Sequence, residues 1–295
     1  MIKSILIIDS SNLMHRAFHG YGKAISRVED HQGNDVTALA GFLRMVTKMV
    51  NENNVSAIAF VMDPTGDQAC KWRTDVFPEY KGGRSETDSQ LKSQILRLPN
   101  MLAHLGLPLI TITGAEADDA IADIVSALLL HSSLTAIISS GDKDLYQLLD
   151  PANQITLLRG APTVTTWESV TAKHNVTPDR WSEYSALVGE GADNLPGITG
   201  IGPKKAIALI NAYSDCADMF DAKNLEEVVG RAAAAKVRAG EMDYHTCKML
   251  NELGTGKVID LTQFKLSNID TDALIAKAPS WLTPEARSLA AAISK

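Results

Sequence analysis

Ile5-Leu6-Ile7-Ile8-Asp9-Ser10-Ser11-Asn12 is four apolar residues that end abruptly in an aspartate and a polar turn. A run that short and that apolar is consistent with a strand buried on both faces. The pattern repeats downstream. Val55 to Met62 ends at Asp63-Pro64, Pro108 to Thr113 forms a third candidate, and Leu134 to Ile138 stops at Ser139-Ser140-Gly141-Asp142. The intervening stretches have helical spacing: Leu39, Leu43, Val46 and Val50 within Val36 to Val50, then Leu91 to Leu105, then Glu116 to Leu130. Short apolar strands alternating with helices of this length predict an α/β fold, a mostly parallel twisted sheet with helices on both faces. Ligands of such sheets bind outside the carboxyl ends of the strands. Asp9, Asp63 and Asp142 all fall there.

Outward from this alternating half, the pattern fades between Asp67 and Thr87, where Lys71 to Arg84 is basic, aromatic and glycine-bearing. From about Trp167 the chain reads as mainly helical, with Gly197, Gly200 and Gly202 opening a turn before a helix from Lys204 to Ala212. Beyond Gly254 only an apolar segment near Val258 to Leu261 and a final helix from Pro284 stand out.

With 45% apolar and 21% charged residues over 295 positions, the composition is that of a folded chain with room for one large domain, or a core with a smaller one grafted on. No apolar run approaches the ~20 residues of a membrane helix, and the start is too short for a signal peptide, so no membrane partner is expected. The three cysteines, Cys70, Cys216 and Cys247, are scattered without zinc-ligand spacing and suggest a reducing, cytoplasmic setting. The seven histidines are dispersed too, and none is assigned to catalysis.

The densest chemical signal is Gly114-Ala115-Glu116-Ala117-Asp118-Asp119. Glu116 and Asp119 are three apart and share a helix face. Acids favour a helix N-terminus in any case, which is the bland account of this cluster. Asp142 and Asp144 flank Lys143, and Glu190 stands three residues before Asp193. Together Asp9, Asp63, Glu116, Asp118, Asp119, Asp142, Asp144, Glu190 and Asp193 make nine acids. Crowded carboxylates resist shared ionisation, and divalent cations such as Mg²⁺ or Mn²⁺ remove that conflict. No P-loop, cysteine-histidine set or serine nucleophile arrangement competes. The net charge of −7 argues at face value against nucleic acid. Neutralising those nine acids would leave it at +2, compatible with a surface that holds phosphates.

Taken in order, these pieces resemble the 5′-to-3′ exonuclease and flap endonuclease family of bacteria, phages and the nuclease domain of DNA polymerase I. The resemblance rests on Ile7 to Asn12 with Arg16-Ala17-Phe18, Asp63, Phe77 to Lys81 with Arg84, Glu116 to Asp119, Ser140 to Leu145, and Asp193 to Ile198 with Gly200 to Lys204. It implies a structure-specific nuclease that hydrolyses DNA near single-strand/double-strand junctions by two-metal-ion catalysis. By resemblance, Asp9, Asp63, Glu116 and Asp118 belong to a first Mg²⁺ site, supported by Asp119. Asp142, Asp144 and Asp193 complete a second, where Glu190 replaces a more usual aspartate. Mn²⁺ is an expected substitute for Mg²⁺. Residues 67–87 would form an arch, with Lys81 and Arg84 on the scissile phosphate, Arg73 guiding the strand, Tyr80 stacked on a base or bracing the arch, and Arg16 near the 5′ strand. Gly200, Gly202, Lys204 and Lys205 would grip duplex DNA through a helix-three-turn-helix module that also holds K⁺.

The implied organisation is a nuclease core over 1–165 and a helical duplex-binding region over 166–295. Expected partners are branched, nicked or 5′-flap DNA, together with replication or repair proteins. The chain would act as a monomer in bacterial or phage-infected cytoplasm, with no room for an attached polymerase. Two alternatives stay open: a junction-binding protein with weakened catalysis, suggested by Glu190, and an RNA-directed nuclease.

Overall fold

The computed structural model describes residues 2–21, 26–130, 134–160 and 163–295. His131, one of the dispersed histidines, lies outside them. The chain runs β1 (Ser4–Asp9), α1 (Ser10–Tyr21), α2 (Thr37–Asn53), β2 (Ala57–Val61), α3 (Trp72–Val76), α4 (Ser89–His104), β3 (Leu109–Ile110), α5 (Ala117–Leu129) and β4 (Thr135–Ser139). It continues through β5 (Ile155–Gly160), β6 (Thr163–Thr165), α6 (Trp167–His174), α7 (Trp181–Val188), α8 (Pro203–Ala212), α9 (Leu225–Val229), α10 (Arg231–Ala239), α11 (Glu241–Asn251), α12 (Thr271–Lys277) and α13 (Thr283–Ile293).

The six strands form one sheet in the order β3-β2-β1-β4-β5-β6. The first five are mutually parallel and β6 is antiparallel to β5. The register sets Asp9 opposite Val61 and Ile8 opposite Ser139, so the residues after β2 and β4 emerge beside Asp9. The strand order reverses between β1 and β4, which opens the crevice where ligands of such sheets bind.

Strand side chains alternate between faces, and the core divides accordingly. Leu6, Ile8, Ile58 and Phe60 pack with α1, α2 and α4. Ile5, Ile7, Ala57, Ala59 and Val61 pack with Ile121, Ile124 and Leu128 of α5. A third apolar body holds the helical segment from Val176 to Leu250 and takes in Tyr80.

Packing groups the chain differently from a single division at 165/166. Val170 and Trp181 belong to the α5 side of the sheet, while Leu282, Ala286 and Leu289 of the terminal segment cover α2. The return is anchored by an ion pair between Arg44 and buried Glu285 and by the Leu266 N–H on the Ser56 carbonyl at 3.0 Å. The apolar segment expected near Val258 is irregular, with Val258 itself 93% exposed and only Leu261 buried. No helix among the described residues is long and apolar enough to cross a membrane.

Leu289 is fully buried among core residues rather than in a separate body. Leu289→Ala should therefore lower the stability of the sheet domain by about 2–5 kcal/mol. Chemical denaturation followed by the circular dichroism of the whole chain will show the loss. An unchanged midpoint would mean that the terminal helices do not stabilise the core.

Candidate active site

Each acid at the strand ends is held by a donor that the local backbone supplies. Asp9 closes β1 and is buried. One carboxylate oxygen accepts the Asn12 N–H at 3.0 Å and the other the Ser140 hydroxyl at 2.7 Å. Ser140 follows β4, and its hydroxyl also accepts the Asp142 N–H at 3.1 Å. Gly141 donates its N–H to the Asn12 side chain at 3.0 Å. The loops after β1 and β4 are thus tied together at the point where the sheet order reverses.

Asp63, just past β2, accepts the Ala117 N–H at 2.8 Å and so sits on the first turn of α5. Asp142 accepts the Asp144 N–H at 3.0 Å. In both cases a free donor at the start of a helical turn meets a carboxylate. Asp118 is half-buried on the same α5 turn.

Crowding shows in the proton affinities. Burial pushes the Asp118 carboxyl well above its ordinary range, and Asp9 and Asp142 push it further while Lys81 opposes them. Burial likewise raises Asp9 to about 6, against the hydrogen bonds from Asn12 and Ser140. Burial, then the negative charge of Glu190 and Asp142, raises Asp144 to about 9. Glu190 is raised by burial and by Asp193 and Asp142. One Glu190 oxygen, Oε2, is buried with no hydrogen-bond partner among the described residues. Its charge in turn raises Asp144.

An all-oxygen set with raised proton affinity and an orphaned carboxylate oxygen fits hard divalent cations. Among the described residues no three His, Cys, Asp or Glu side chains are already gathered so as to hold one. Asp118 feels Asp9, Asp142 and Asp63, while Asp144 feels Glu190, Asp142 and Asp193. The acids therefore fall into two neighbouring groups that share Asp142.

The segment expected as an arch consists of α3 and a series of turns lying against these acids. Lys81 donates to both Glu116 oxygens at 2.9 Å and lies 3.7 Å from Asp193. Its backbone N–H binds the Asp193 carbonyl at 2.9 Å. Tyr80, buried, donates its hydroxyl to Glu116 at 3.1 Å. Arg84 pairs with Asp193 and donates to the Ala192 carbonyl at 3.4 Å, with its side chain 52% exposed. Half-buried Arg16 feels the Asp9 charge, and its Nη1 has no partner among the described residues.

Arg73 stands differently from the strand guide expected of it. It is 1% exposed and grips Asp119 through two bonds of 2.7 and 2.9 Å, with a third to the Leu250 carbonyl at 3.1 Å. Asp119 also accepts the N–H of Glu116 at 2.9 Å and of Gly254 at 3.1 Å. This pair braces α3, α5 and the end of α11. It withdraws Arg73 from a strand and leaves Asp119 no free oxygen to offer a metal.

The glycine turn lies in the third apolar body. Gly189 and Gly197 both have positive φ, 84° and 60°, and their backbones cross so closely that a Cβ on Gly197 would lie 2.6 Å from the Val188 carbonyl carbon. Gly200 is also left-handed at 80°, and Pro203 opens α8 with Lys204 exposed and Lys205 half-buried. Sequence spacing missed Lys236. A Cβ on Gly200 would collide with its ammonium, so this α10 cation stands directly over the turn. Among the described residues it has no ion-pair partner. Its separation of 36 residues from Gly200 leaves no local signal.

Carboxylates at parallel strand ends, faced by cations on a covering segment, define a site for hydrolysing phosphodiesters. The model of the 5′-3′ exonuclease N-terminal resolvase-like domain matches residues 4–178, and that of its C-terminal SAM fold matches residues 176–272. The chain belongs to the 5′-3′ exonuclease family. It is 31% identical over 252 residues to a 5′-3′ exonuclease of Aquifex aeolicus, covering 85% of this chain and 83% of that protein. It is 29% identical over 243 residues to the thermostable DNA polymerase I of Thermus filiformis, where 82% of this chain spans 28% of the polymerase. The same fold occurs in the bacteriophage T5 D15 flap endonuclease, solved as a complex with DNA and metal ions. There the TM-score is 0.66 at 19% identity, covering 99% of this chain and 100% of that one.

The raised Asp144 has a consequence for stability in a metal chelator. Folded Asp144 keeps its proton to about pH 9, whereas an unfolded aspartate loses it near pH 3.8. The folded state therefore binds the extra proton between those values, and its stability falls as pH rises through them. Asp144→Asn removes this dependence. Its melting temperature relative to the native chain should rise from pH 5 to pH 8, by roughly 2–4 °C per kcal/mol relieved. A difference that stays flat with pH would show that the group is not held protonated.

Proposed function

We propose that this chain is a structure-specific 5′ nuclease, acting on DNA near junctions of single and double strand as a flap endonuclease and 5′-to-3′ exonuclease. The observation that carries the reading is the meeting of Lys81 and Arg84 with the carboxylates at the ends of the parallel strands. Asp9, Asp63, Glu116 and Asp118 would serve a first divalent ion, and Asp142, Asp144, Glu190 and Asp193 a second, Mg²⁺ or Mn²⁺. When bound, such ions neutralise phosphate charge and activate the attacking water.

The chain's own residues do the rest. Ser140 and Asn12 fix the Asp9 carboxylate, so its orientation does not depend on the substrate. Lys81 and Arg84 sit in partly solvated ion pairs, which are weak enough to exchange a carboxylate for a phosphate oxygen. They would hold the scissile phosphate and steady the charge that grows on it. Tyr80 and Arg73 brace this segment from beneath.

Duplex would be gripped away from the acids. The left-handed Gly200 turn and the N-terminus of α8 would face phosphate, with Lys204, Lys205 and Lys236 around them. Backbone contacts of this kind position a duplex without reading its bases. A K⁺ ion between the turn and a phosphate belongs to the same reading. So do monomeric action, a cytoplasmic location and branched, nicked or 5′-flap DNA met during replication or repair.

Two substitutions separate cutting from gripping. Asp118→Ala should slow flap cleavage in Mg²⁺ on the order of 100-fold while junction affinity in chelator changes little. An unchanged rate would overturn the assignment of the site. Lys204→Ala and Lys236→Ala should each weaken duplex affinity and lower its salt slope by about 1. Binding isotherms between 50 and 200 mM salt measure this. Equal cleavage of matched RNA flaps would redirect the reading to RNA.

A further inference from the structure

Helix α1 carries two histidines four residues apart, in the run His15-Arg16-Ala17-Phe18-His19. That spacing sets both on one face of the helix, a single turn apart. Both residues are exposed, and their ring centroids lie 6.4 Å from each other. The Phe18 ring stands edge-on to His19 at 5.2 Å and supports it from the side.

Two imidazoles at positions i and i+4 of a helix can close on one metal ion. With Zn–N bonds of roughly 2.0–2.1 Å and a tetrahedral angle, the two ring centroids would stand about 5 Å apart. Closing from 6.4 Å needs small rotations of two side chains that solvent already surrounds. His19 lies in the last turn of α1, the end at which the helix dipole favours a cation. It also lines a cavity of about 310 Å³ in which Asp35 is the one lining acid. That space admits water to the ion and sets a negative charge near it. The chemistry differs from that of the strand-end acids, because oxygen ligands suit Mg²⁺ and Mn²⁺ whereas imidazole suits Zn²⁺, Ni²⁺ and Cu²⁺.

We propose that His15 and His19 form a binding site for a transition-metal cation of the Zn²⁺ class, separate from the carboxylate site. Two protein nitrogens leave the other positions to water, so the ion exchanges and is held more weakly than a four-ligand structural zinc. It links successive turns and fastens the end of α1 as helix. The same helix supplies the Asn12 N–H to the Asp9 carboxylate, so the ion steadies that support without entering the acidic crevice. The site stands whether or not the chain cleaves flaps.

Nuclear magnetic resonance of the histidine ring nitrogens, with the full chain in saturating Mg²⁺ and titrated with ZnCl₂, tests it. The His15 and His19 signals should shift together along one saturable curve. His15→Gln should weaken the His19 response on the order of 100-fold, because the second nitrogen no longer binds from within the same helix. His19→Gln should do the same to His15. Zinc should raise the melting temperature of the native chain by more than that of either variant. Near-ultraviolet circular dichroism checks that the variants keep their fold. Zinc held only by the carboxylates would leave both rings unshifted and move all three melting temperatures alike, which overturns the site. A His19 response equal in the native chain and in His15→Gln overturns it too.

Discussion

Mutual repulsion of carboxylates is the constraint on which the rest of this structure depends. Acids that raise one another's proton affinity would drift apart on flexible loops, and here the three that follow the parallel strands are each tied to a donor. Asp9 has the Asn12 N–H and the Ser140 hydroxyl, Asp63 the Ala117 N–H, Asp142 the Asp144 N–H. All these donors sit where a strand ends and a helical turn begins. A parallel sheet delivers several such junctions to one edge, because all its strands point the same way. The register that brings Asp9 beside the ends of β2 and β4 is thus a structural choice with electrostatic content. Anionic density is held before any cation arrives.

Three cations answer this density, and their solvation separates their roles. Arg73 is sealed under the covering segment, with a bidentate grip on Asp119 and a further bond to the end of α11. Removing one partner of such a pair leaves a buried charge without compensation, at a cost of about 3–5 kcal/mol, so it does not open during a turnover. Lys81 and Arg84 pair with Glu116 and Asp193 where water still reaches them. The fixed pair holds the segment in place so that the exchangeable pairs can be exchanged. Tyr80 links the two kinds, since its ring lies under the Lys81 ammonium at 4.9 Å while its hydroxyl binds Glu116.

How much of this could be read from the sequence follows from how local each feature is. The strands around Ile5, Ile58 and Ile137 and the helices α2, α4 and α5 are announced by apolar runs and spacing within one element. The acids at their ends are legible for the same reason. β5 and β6 are hard to read because the stretch from Ile155 to Thr165 lacks a continuous apolar run, although Ile155, Leu157 and Leu158 are buried. The family resemblance sets Arg73 along the strand, and nothing local in the sequence marks it as buried. Only its distant meeting with Asp119, 46 residues away, shows otherwise. The same holds for Lys236 over Gly200 and for α13 on α2. Spacing reveals faces, and it does not reveal which distant faces meet.

The acidity of the chain now has a physical address. Its formal charge of −7 would repel a polyanion if spread evenly. Several of its acids already face a cation, as Glu116, Asp119 and Asp193 do, while burial and the charge of Glu190 raise the proton affinity of Asp144. The exposed cations Lys204 and Lys236 stand on a separate helical body, around a left-handed glycine turn. On the function proposed above, attraction for a phosphate backbone would sit with Lys204 and Lys236, and the demand for divalent ions with the carboxylates. The Gly189–Gly197 crossing sets the Asp193 loop against α7 and so fixes that loop beside the glycine turn. On the function proposed above, the placing of that loop beside the turn would set where along a strand the chain acts.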